Sequence, residues 1–404
     1  MFVESNTTGT GRLFVERARE MGLVPVLLTA DATRYPYVAE LDVTARTCDT
    51  ASPSAVSACC RRLAGEHHLT GITSSSEFYV VTAARVARVL GLPGEDPRRL
   101  AAARNKALQR RSFAASGVPS PRFGTAWSTV DAVRAADRLG LPVVVKPISR
   151  SGSIGVRRCD TAAQVAQHSA ELLATTVDER GNPLPDMVLV ESYLDGPEFS
   201  VELVGGAVRA LVAKHLDVSR GFLEVGHDVP APVDARTGAC LARTARAALA
   251  ALGLHWGAAH VELRLVADRA YVVEVNARLA GGMIPHAIRF ATGDDLIGEL
   301  LARAVGMPAP RRARRPTRCT SIRFLVPAGD GEVRSVPTAA VALAMPGVVD
   351  AAVTARPRQR ITRGGTFLDR LGHVIATGDT HRQAAARAER AVAALAVELE
   401  GSRG

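Results

Sequence analysis

The chain has 404 residues, of which 47% are hydrophobic and 4% aromatic, and a formal net charge of +10. That length exceeds one ordinary domain, so two to four structural units with sizeable cores are expected. No run reaches the roughly 18 apolar residues of a membrane span, residues 1–10 lack a basic region followed by an apolar core, and six cysteines (Cys48, Cys59, Cys60, Cys159, Cys240, Cys319) show no CxxC pairing, which points to a reduced cytoplasmic protein without disulfide framework or zinc site.

In chain order, an apolar start and Asn6-Thr7-Thr8-Gly9-Thr10-Gly11 precede a helical pattern through Leu13, Val15, Ala18 and Met21, and Pro25 to Leu28 reads as the next strand. Alternation continues with a helix over Ser54–Leu63, an extended Thr70–Thr73, a helix over Glu77–Leu90 and a stop at Gly91-Leu92-Pro93-Gly94. Residues 1–95 are thus expected to form a doubly wound α/β domain. Gly9 and Gly11 lack full GxGxxG spacing and read as a plain turn.

Residues 96–186 are expected as a small α+β unit, with helices over Arg98–Ser116 and Thr129–Leu139, a strand over Val143–Lys146, a Gly/Ser loop, a strand over Gly155–Arg158 and a helix over Ala162–Ala174. A third unit, 187–315, is expected to carry strands at Val188–Glu191, Glu198–Val204 and Val208–Lys214, a helix over Asp234–Leu252 and a hairpin over Ala259–Ala277. The arginine cluster Arg311 to Arg318 contains Pro316 and reads as a solvated linker rather than a nucleic-acid face. The last unit, 316–404, is expected to hold extended segments at Thr320–Val326, Gly347–Thr354 and His373–Thr377 and a helix over His381–Leu399.

Three constellations can carry chemistry. The run Lys146-Pro147-Ile148-Ser149-Arg150-Ser151-Gly152-Ser153-Ile154-Gly155-Val156 joins two strands, so its backbone can turn N–H groups toward an anion; the alternative is an ordinary strand connection. It lacks the GK[ST] and helix of a Walker A loop. In the hairpin, period-2 geometry puts Glu274 and Asn276 on one face, and pairing about a turn at Asp268-Arg269 brings Glu262 nearly opposite Glu274. Like charges that close repel unless a cation sits between them, and oxygen ligands suit magnesium or manganese; the alternative register leaves both glutamates on a solvated face. Arg278, followed by Leu279-Ala280-Gly281-Gly282, is positioned to neutralise developing negative charge beside room for substrate.

Arg104-Asn105-Lys106, VVVKPISRSGSIGV (143–156), VESYLDGPEFSVEL (190–203) and EVNARLAGG (274–282), with Glu262 upstream, together resemble the ATP-grasp superfamily in order and spacing over about 95–305. The resemblance implies an ATP-grasp fold, α/β and α+β in class, flanked by the N-terminal doubly wound domain and a C-terminal α+β domain. It implies that Lys106 and Lys146 contact ATP phosphates and that the loop with Ser151, Gly152, Ser153 and Gly155 closes over them. It further implies that Glu191, Tyr193 and Leu194 belong to the adenine hinge and that Glu198 holds the ribose. Glu262, Glu274 and Asn276 would bind magnesium or manganese, and Arg278 would stabilise the transition state.

The stretch Gly221 to Pro232 looks like the substrate-facing strand and loop, and Glu224 with His227 is similar to the ExxH pattern of bacilysin-type L-amino-acid ligases. That implies an amino acid or short peptide as one substrate, contacted by Glu224, His227, Arg278, Gly281 and Gly282. The expected function is an ATP- and magnesium-dependent ligase that activates a carboxylate as an acyl phosphate and joins it to an amine, giving a dipeptide, an amide or a natural-product intermediate. The expected partners are these small molecules, with no nucleic acid or membrane; a homodimer is one option for an oligomeric state that the sequence leaves open. Two rivals stay open: a carboxylase or purine-pathway type using bicarbonate or formate, and a noncatalytic ATP-binding module.

Overall fold

The computed structural model describes all residues except Thr8, His67, Ser151, 179–180, Asn182, 311–317 and 401–404. The expected phosphate-loop residue Ser151 and nearly all of the arginine cluster therefore lie outside the described residues.

The chain opens with β1 (Phe2–Val3), α1 (Thr10–Glu20), β2 (Val26–Thr29), α2 (Pro36–Glu40), β3 (Thr44–Thr47), α3 (Pro53–Glu66) and α4 (Val80–Val89). Its strands form a parallel sheet in the order β1-β2-β3. The extended segment expected at Thr70–Thr73 is reduced to a single bridge between Thr73 and Phe2.

Next come α5 (Pro97–Ala103), α6 (Lys106–Ala115), β4 (Phe123–Ala126), α7 (Thr129–Leu139), β5 (Val143–Pro147), β6 (Arg157–Cys159), α8 (Ala162–Leu173) and β7 (Val188–Ser192). The one helix expected over Arg98–Ser116 is two. Asn105 leaves helical geometry (φ −102°, ψ 107°) and its side chain accepts from Leu108 N, capping a new helix that begins at Lys106. The strands β4-β7-β5-β6 form a small antiparallel sheet. β7, expected to open the third unit, is thus hydrogen-bonded to β4 and β5, and the passage to the large sheet falls between Ser192 and Glu198 rather than at 186/187.

The large sheet begins with β8 (Glu198–Val204), β9 (Ala207–Asp217) and β10 (Leu223–Val229), continues after α9 (Ala235–Leu252) with β11 (Ala258–Val266) and β12 (Arg269–Asn276), and is followed by α10 (Ile284–Thr292) and α11 (Leu296–Val305). Ala267 and Asp268, both with positive φ (47° and 61°), make the hairpin turn, one residue earlier than expected. The last segment adds β13 (Cys319–Leu325), β14 (Gly331–Ser335), α12 (Ala339–Leu343), β15 (Val348–Val353), β16 (Arg360–Ile361), β17 (Gly372–Gly378), α13 (His381–Ala393) and β18 (Glu398–Glu400). The final helix stops well short of Leu399, because Leu395, Val397 and Leu399 turn inward with period 2 and β18 pairs with β14.

The last segment divides between two sheets: β16-β14-β18 form a small antiparallel sheet of their own, while β13, β17 and β15 join the large one. β13 pairs with β10, so eight strands run continuously as β12-β11-β8-β9-β10-β13-β17-β15. One apolar cluster spans the whole chain, joining Phe14 and Leu27 to Val212, Ile288, Ile322 and Ile375, all buried. Each such side chain contributes about 1.5–3 kcal/mol on burial, so the outer segments are fastened to the central sheet by packing as well as by hydrogen bonds.

Candidate active site

A cleft of about 1130 Å³ opens between the four-stranded and eight-stranded sheets, and α1, α10 and the β16–β17 loop also line it. Its floor follows from strand register. β8 alternates Glu198, Ser200 and Glu202 with apolar Phe199, Val201 and Leu203, β11 presents His260, Glu262 and Arg264, and β9 presents Lys214. Pairing sets Glu198 opposite both Lys214 and Arg264, Ser200 opposite Glu262, and Glu202 opposite His260, which concentrates charge on one face.

Lys214 is the centre of this face. Its buried Nζ lies 2.8 Å from Glu198 Oε1, 2.8 Å from Glu224 Oε1 and 2.9 Å from Glu262 Oε1. Burial disfavours the ammonium, but the three carboxylates outweigh it and raise the Lys214 pKa well above the usual range. Burial likewise opposes the ionised Glu224, yet Lys214 and Arg370 hold its carboxyl well below the ordinary range. Lys214, His260, Glu202, Glu77 and Arg370 were all missed in the sequence. For Lys214 a signal existed: a lysine in step with Ala210 and Val212 on one strand face marks a buried charge that needs partners.

The expected nucleotide residues gather at the other end. Lys146 Nζ lies 2.7 Å from Glu191 Oε2, and Arg110 Nε 2.5 Å from Glu191 Oε1, all nearly fully buried. Burial pulls the Lys146 pKa down, against the pull of Glu191. The Glu191 side chain is therefore committed to this ion pair, and its backbone lies in the β7 ladder between β4 and β5. Beyond the ladder, Tyr193 N donates to Pro142 O, whereas the Leu194 N–H at the cleft wall makes no hydrogen bond to a described residue. Glu198 lines the cleft with both oxygens engaged, by Lys214 and by Arg264 Nε at 3.0 Å. Lys106, the first residue of α6, reaches Glu274 Oε1 at 2.8 Å and donates to Arg150 O at 2.5 Å, tying the helix to the glycine loop.

Gly152 (φ 68°) and Ser153 (φ 62°) occupy the left-handed region and line the cleft. Gly155 departs from expectation: it packs against Pro147 and Leu172, its carbonyl meets His168 Nε2 at 2.9 Å, and it does not face the cleft.

Glu262 and Glu274 are directly paired across the hairpin, with a bulge just after Glu262. Among the described residues, no three His, Cys, Asp or Glu side chains form a ready cluster for a metal ion. The set is instead two carboxylates and the Asn276 side chain, which faces the cleft and has no hydrogen bond to a described residue. Both carboxylates now lie against ammonium groups, Lys214 and Lys106, so a positive charge is already favoured in front of them. This hard-oxygen set fits a divalent cation such as magnesium or manganese. Behind it, His260 bridges Glu202 (Nδ1 to Oε1, 2.7 Å) and Glu262 (Nε2 to Oε1, 3.0 Å); these contacts overcome burial and raise the imidazole to about 10.

Arg278 faces the cleft, its Nε and Nη2 donating to Glu77 Oε2 at 3.1 and 2.8 Å and its Nη1 to Leu279 O. Gly281 and Gly282 follow on the cleft wall, with open space where a Cβ on Gly281 would project.

Of the expected ExxH pair, only Glu224 reaches the cleft. A bulge between Glu224 and Gly226 brings residues three apart to one face, but His227 points behind Gly282, fully buried, edge-on to Phe324 at 5.4 Å. Its nearest carboxylate oxygen, on Glu224, is 3.6 Å away, neither ring nitrogen is hydrogen-bonded among the described residues, and burial lowers its pKa to about 3. His227 is therefore a neutral packing group, and its expected substrate contact is withdrawn. Glu224 in turn does not offer a free carboxylate, being bracketed by Lys214 and by Arg370 Nη2 at 2.6 Å.

Family models match three stretches: an ATP-grasp N-terminal domain over 15–94, an ATP-grasp domain over 139–286, and an L-amino acid ligase C-terminal domain 2 over 323–400. The chain is 34% identical over 390 residues, 96% of its own length and 81% of the relative's, to the uncharacterized protein y4rH of Sinorhizobium fredii (strain NBRC 101917 / NGR234). It is 26% identical to the alanine–anticapsin ligase of Bacillus subtilis, over 59% of this chain and 55% of that enzyme. In fold it is similar to the crystal structure of an L-amino acid ligase from Bacillus licheniformis, with a TM-score of 0.82 and 20% identity over 99% of this chain and 98% of the other.

Proposed function

Because the chain belongs to the ATP-grasp superfamily and is an ATP-dependent carboxylate–amine ligase, we propose that it activates an amino-acid carboxylate as an acyl phosphate and joins it to an amine. The product is then a dipeptide or an amide. The supporting observation is the convergence, in one cleft between two sheets, of Lys106 with Glu274, Lys214 with Glu262, and Arg278 with Glu77. A noncatalytic nucleotide-binding module needs no such set.

On this reading Lys106 and Lys146 meet the ATP phosphates, the glycine loop at Gly152 and Ser153 covers them, and Leu194 N–H with Glu198 reads adenine and ribose. Glu262, Glu274 and Asn276 hold magnesium, or manganese. When bound, the divalent ion supplies neutralising charge to the phosphate oxygens. A substrate carboxylate oxygen attacks the γ-phosphorus as its bond to the ADP oxygen breaks, and Arg278 stabilises the charge that develops. The neutral amine then attacks the acyl carbon, phosphate leaves, and one proton is lost from nitrogen. Catalysis rests on positioning and fixed charge, and the covering loop keeps water from the acyl phosphate. The chain is read as four units, 1–95, 96–192, 193–315 and 316–404, with the last shaping the acceptor side of the cleft.

The first test measures ADP and phosphate release with ATP and magnesium, screening amino acids singly and in pairs, and bicarbonate and formate separately. Release that requires one pair, with a product lighter by one water than their sum, supports the reading. Release driven by bicarbonate or formate refutes it. Glu274→Gln and Arg278→Ala should each lower turnover by roughly 10²–10³-fold or more while circular dichroism stays unchanged; wild-type turnover in either would remove that residue from the reaction.

A further inference from the structure

The loop between β16 and β17 brings a cation to the reaction side of the cleft. Asp369 accepts hydrogen bonds from Gly364 N (3.0 Å) and Gly365 N (2.8 Å), which shapes the loop and delivers Arg370 to the start of β17. There Arg370 Nε donates to Glu224 O at 3.1 Å and Nη2 to Glu224 Oε2 at 2.6 Å, while the guanidinium lies 3.9 Å from the centre of the Phe324 ring. One edge of the fork is thus held and one face is stacked. Nη1 makes no hydrogen bond to a described residue, and it points toward Gly282: a Cβ built there would lie 3.6 Å from it. Beside it, at Gly281, the space is open.

The neighbouring cations are committed elsewhere, Lys214 among three carboxylates and Arg278 to Glu77 and Leu279 O. An amine that reaches the acyl carbon past Gly281 and Gly282 comes within range of one oriented donor pair on a pre-aligned guanidinium. If that amine belongs to an amino acid, its carboxylate sits two bonds from the nitrogen and must leave bulk water with it. A buried carboxylate without a cation is strongly disfavoured, and a guanidinium is the group best shaped to receive it.

We propose that Arg370 binds the carboxylate of the amine substrate, so that the enzyme selects an amino acid over a simple amine or amide as acceptor. The proposal rests on the ligase reading above. Glu224 then serves to orient Arg370, rather than to receive an ammonium group itself, and the C-terminal segment supplies part of the acceptor site.

The test uses the full chain. Wild-type protein is first given ATP, magnesium and hydroxylamine with each of the twenty amino acids, because hydroxylamine traps an acyl phosphate as a hydroxamate whatever the acceptor site prefers. Absence of any hydroxamate overturns the ligase reading and the proposal with it. With the donor so identified, kcat/KM is compared for glycine, L-alanine and L-phenylalanine against their α-amides as acceptors. The wild type should favour the free acids by roughly 10- to 100-fold, the worth of a charge-assisted hydrogen bond. Arg370→Ala and Arg370→Gln should bring that ratio toward one through KM for the acid, and Arg370→Lys should restore part of it. A wild type that uses the amides equally well, or an Arg370→Gln protein that keeps the wild-type ratio while forming hydroxamate, overturns the proposal and leaves the ligase reading standing.

Discussion

At the scale of single residues, the site is a balance of buried charge. Lys214 neutralises three carboxylates drawn from three strands, so its removal leaves them facing one another in a poorly hydrated floor. Lys214→Met should destabilise the fold by about 3–5 kcal/mol, the range for breaking a buried ion pair, and abolish turnover. An unchanged denaturant midpoint would show that the carboxylates find other partners. His227 makes an opposite kind of prediction. Its folded pKa, about 3, lies below the ordinary 6.5, so the unfolded chain binds more protons throughout that interval. The stability contributed by the neutral ring is complete above about 6.5 and is lost as pH falls toward 3, at about 1.4 kcal/mol per pH unit. Denaturant midpoints at pH 7.5, 5.5 and 4.5 should therefore fall faster for the wild type than for His227→Leu; parallel curves would mean that the ring accepts a proton in place.

At the scale of elements, local chemistry shaped most boundaries correctly. Ser128, Thr161 and Asp234 each cap a following helix from a position where the sequence changes from turn to periodic pattern. The hairpin β11–β12 was legible from its short turn and the alternation of β11, which put Glu262 near Glu274; the bulge after Glu262 that makes the two direct partners is not written in that pattern. The break at Asn105 was not legible, since Arg98 to Ser116 carries helix formers on both sides and the cap competes only locally. The glycine loop shows how elements meet. A Cβ at Gly152 would run into the Phe367 ring of the β16–β17 loop, and φ there is +68°. Gly152→Val should make the free loop relax away from Phe367, so that about 1–3 kcal/mol of backbone strain arises only when the loop closes: KM for ATP should rise by roughly 10-fold, with little change in unfolding midpoint. A lowered midpoint with unaltered KM would mark the loop as packing alone.

At the scale of the whole molecule, the eight-stranded sheet makes the C-terminal segment part of the enzyme's framework. Cutting the chain at residue 315 removes β13, β17 and β15, leaves the β10 edge unpaired and uncovers the side of the core occupied by Ile322, Phe324 and Ile375. The 1–315 fragment is expected to aggregate or to lose cooperative unfolding, read by light scattering and by denaturant titration. A soluble fragment with wild-type ligase activity and acceptor preference would show that the last segment contributes neither packing nor specificity.

Sequence by itself determined the α/β opening unit and the neighbouring hairpin carboxylates Glu262 and Glu274, which depend on periodicity and turn chemistry acting over a few residues. The ATP-grasp fold came from the resemblance carried by four ordered motifs. Tertiary structure decided which charge meets which: Glu77 with Arg278, Glu198 and Glu262 with Lys214, and Glu224 with Arg370, while His227 has no hydrogen-bond partner among the described residues. Strand periodicity tells which face a side chain takes, but the partner opposite is chosen by register between strands far apart in the chain and by packing between sheets. No local pattern records that choice, because its energy arises only when both groups are buried together.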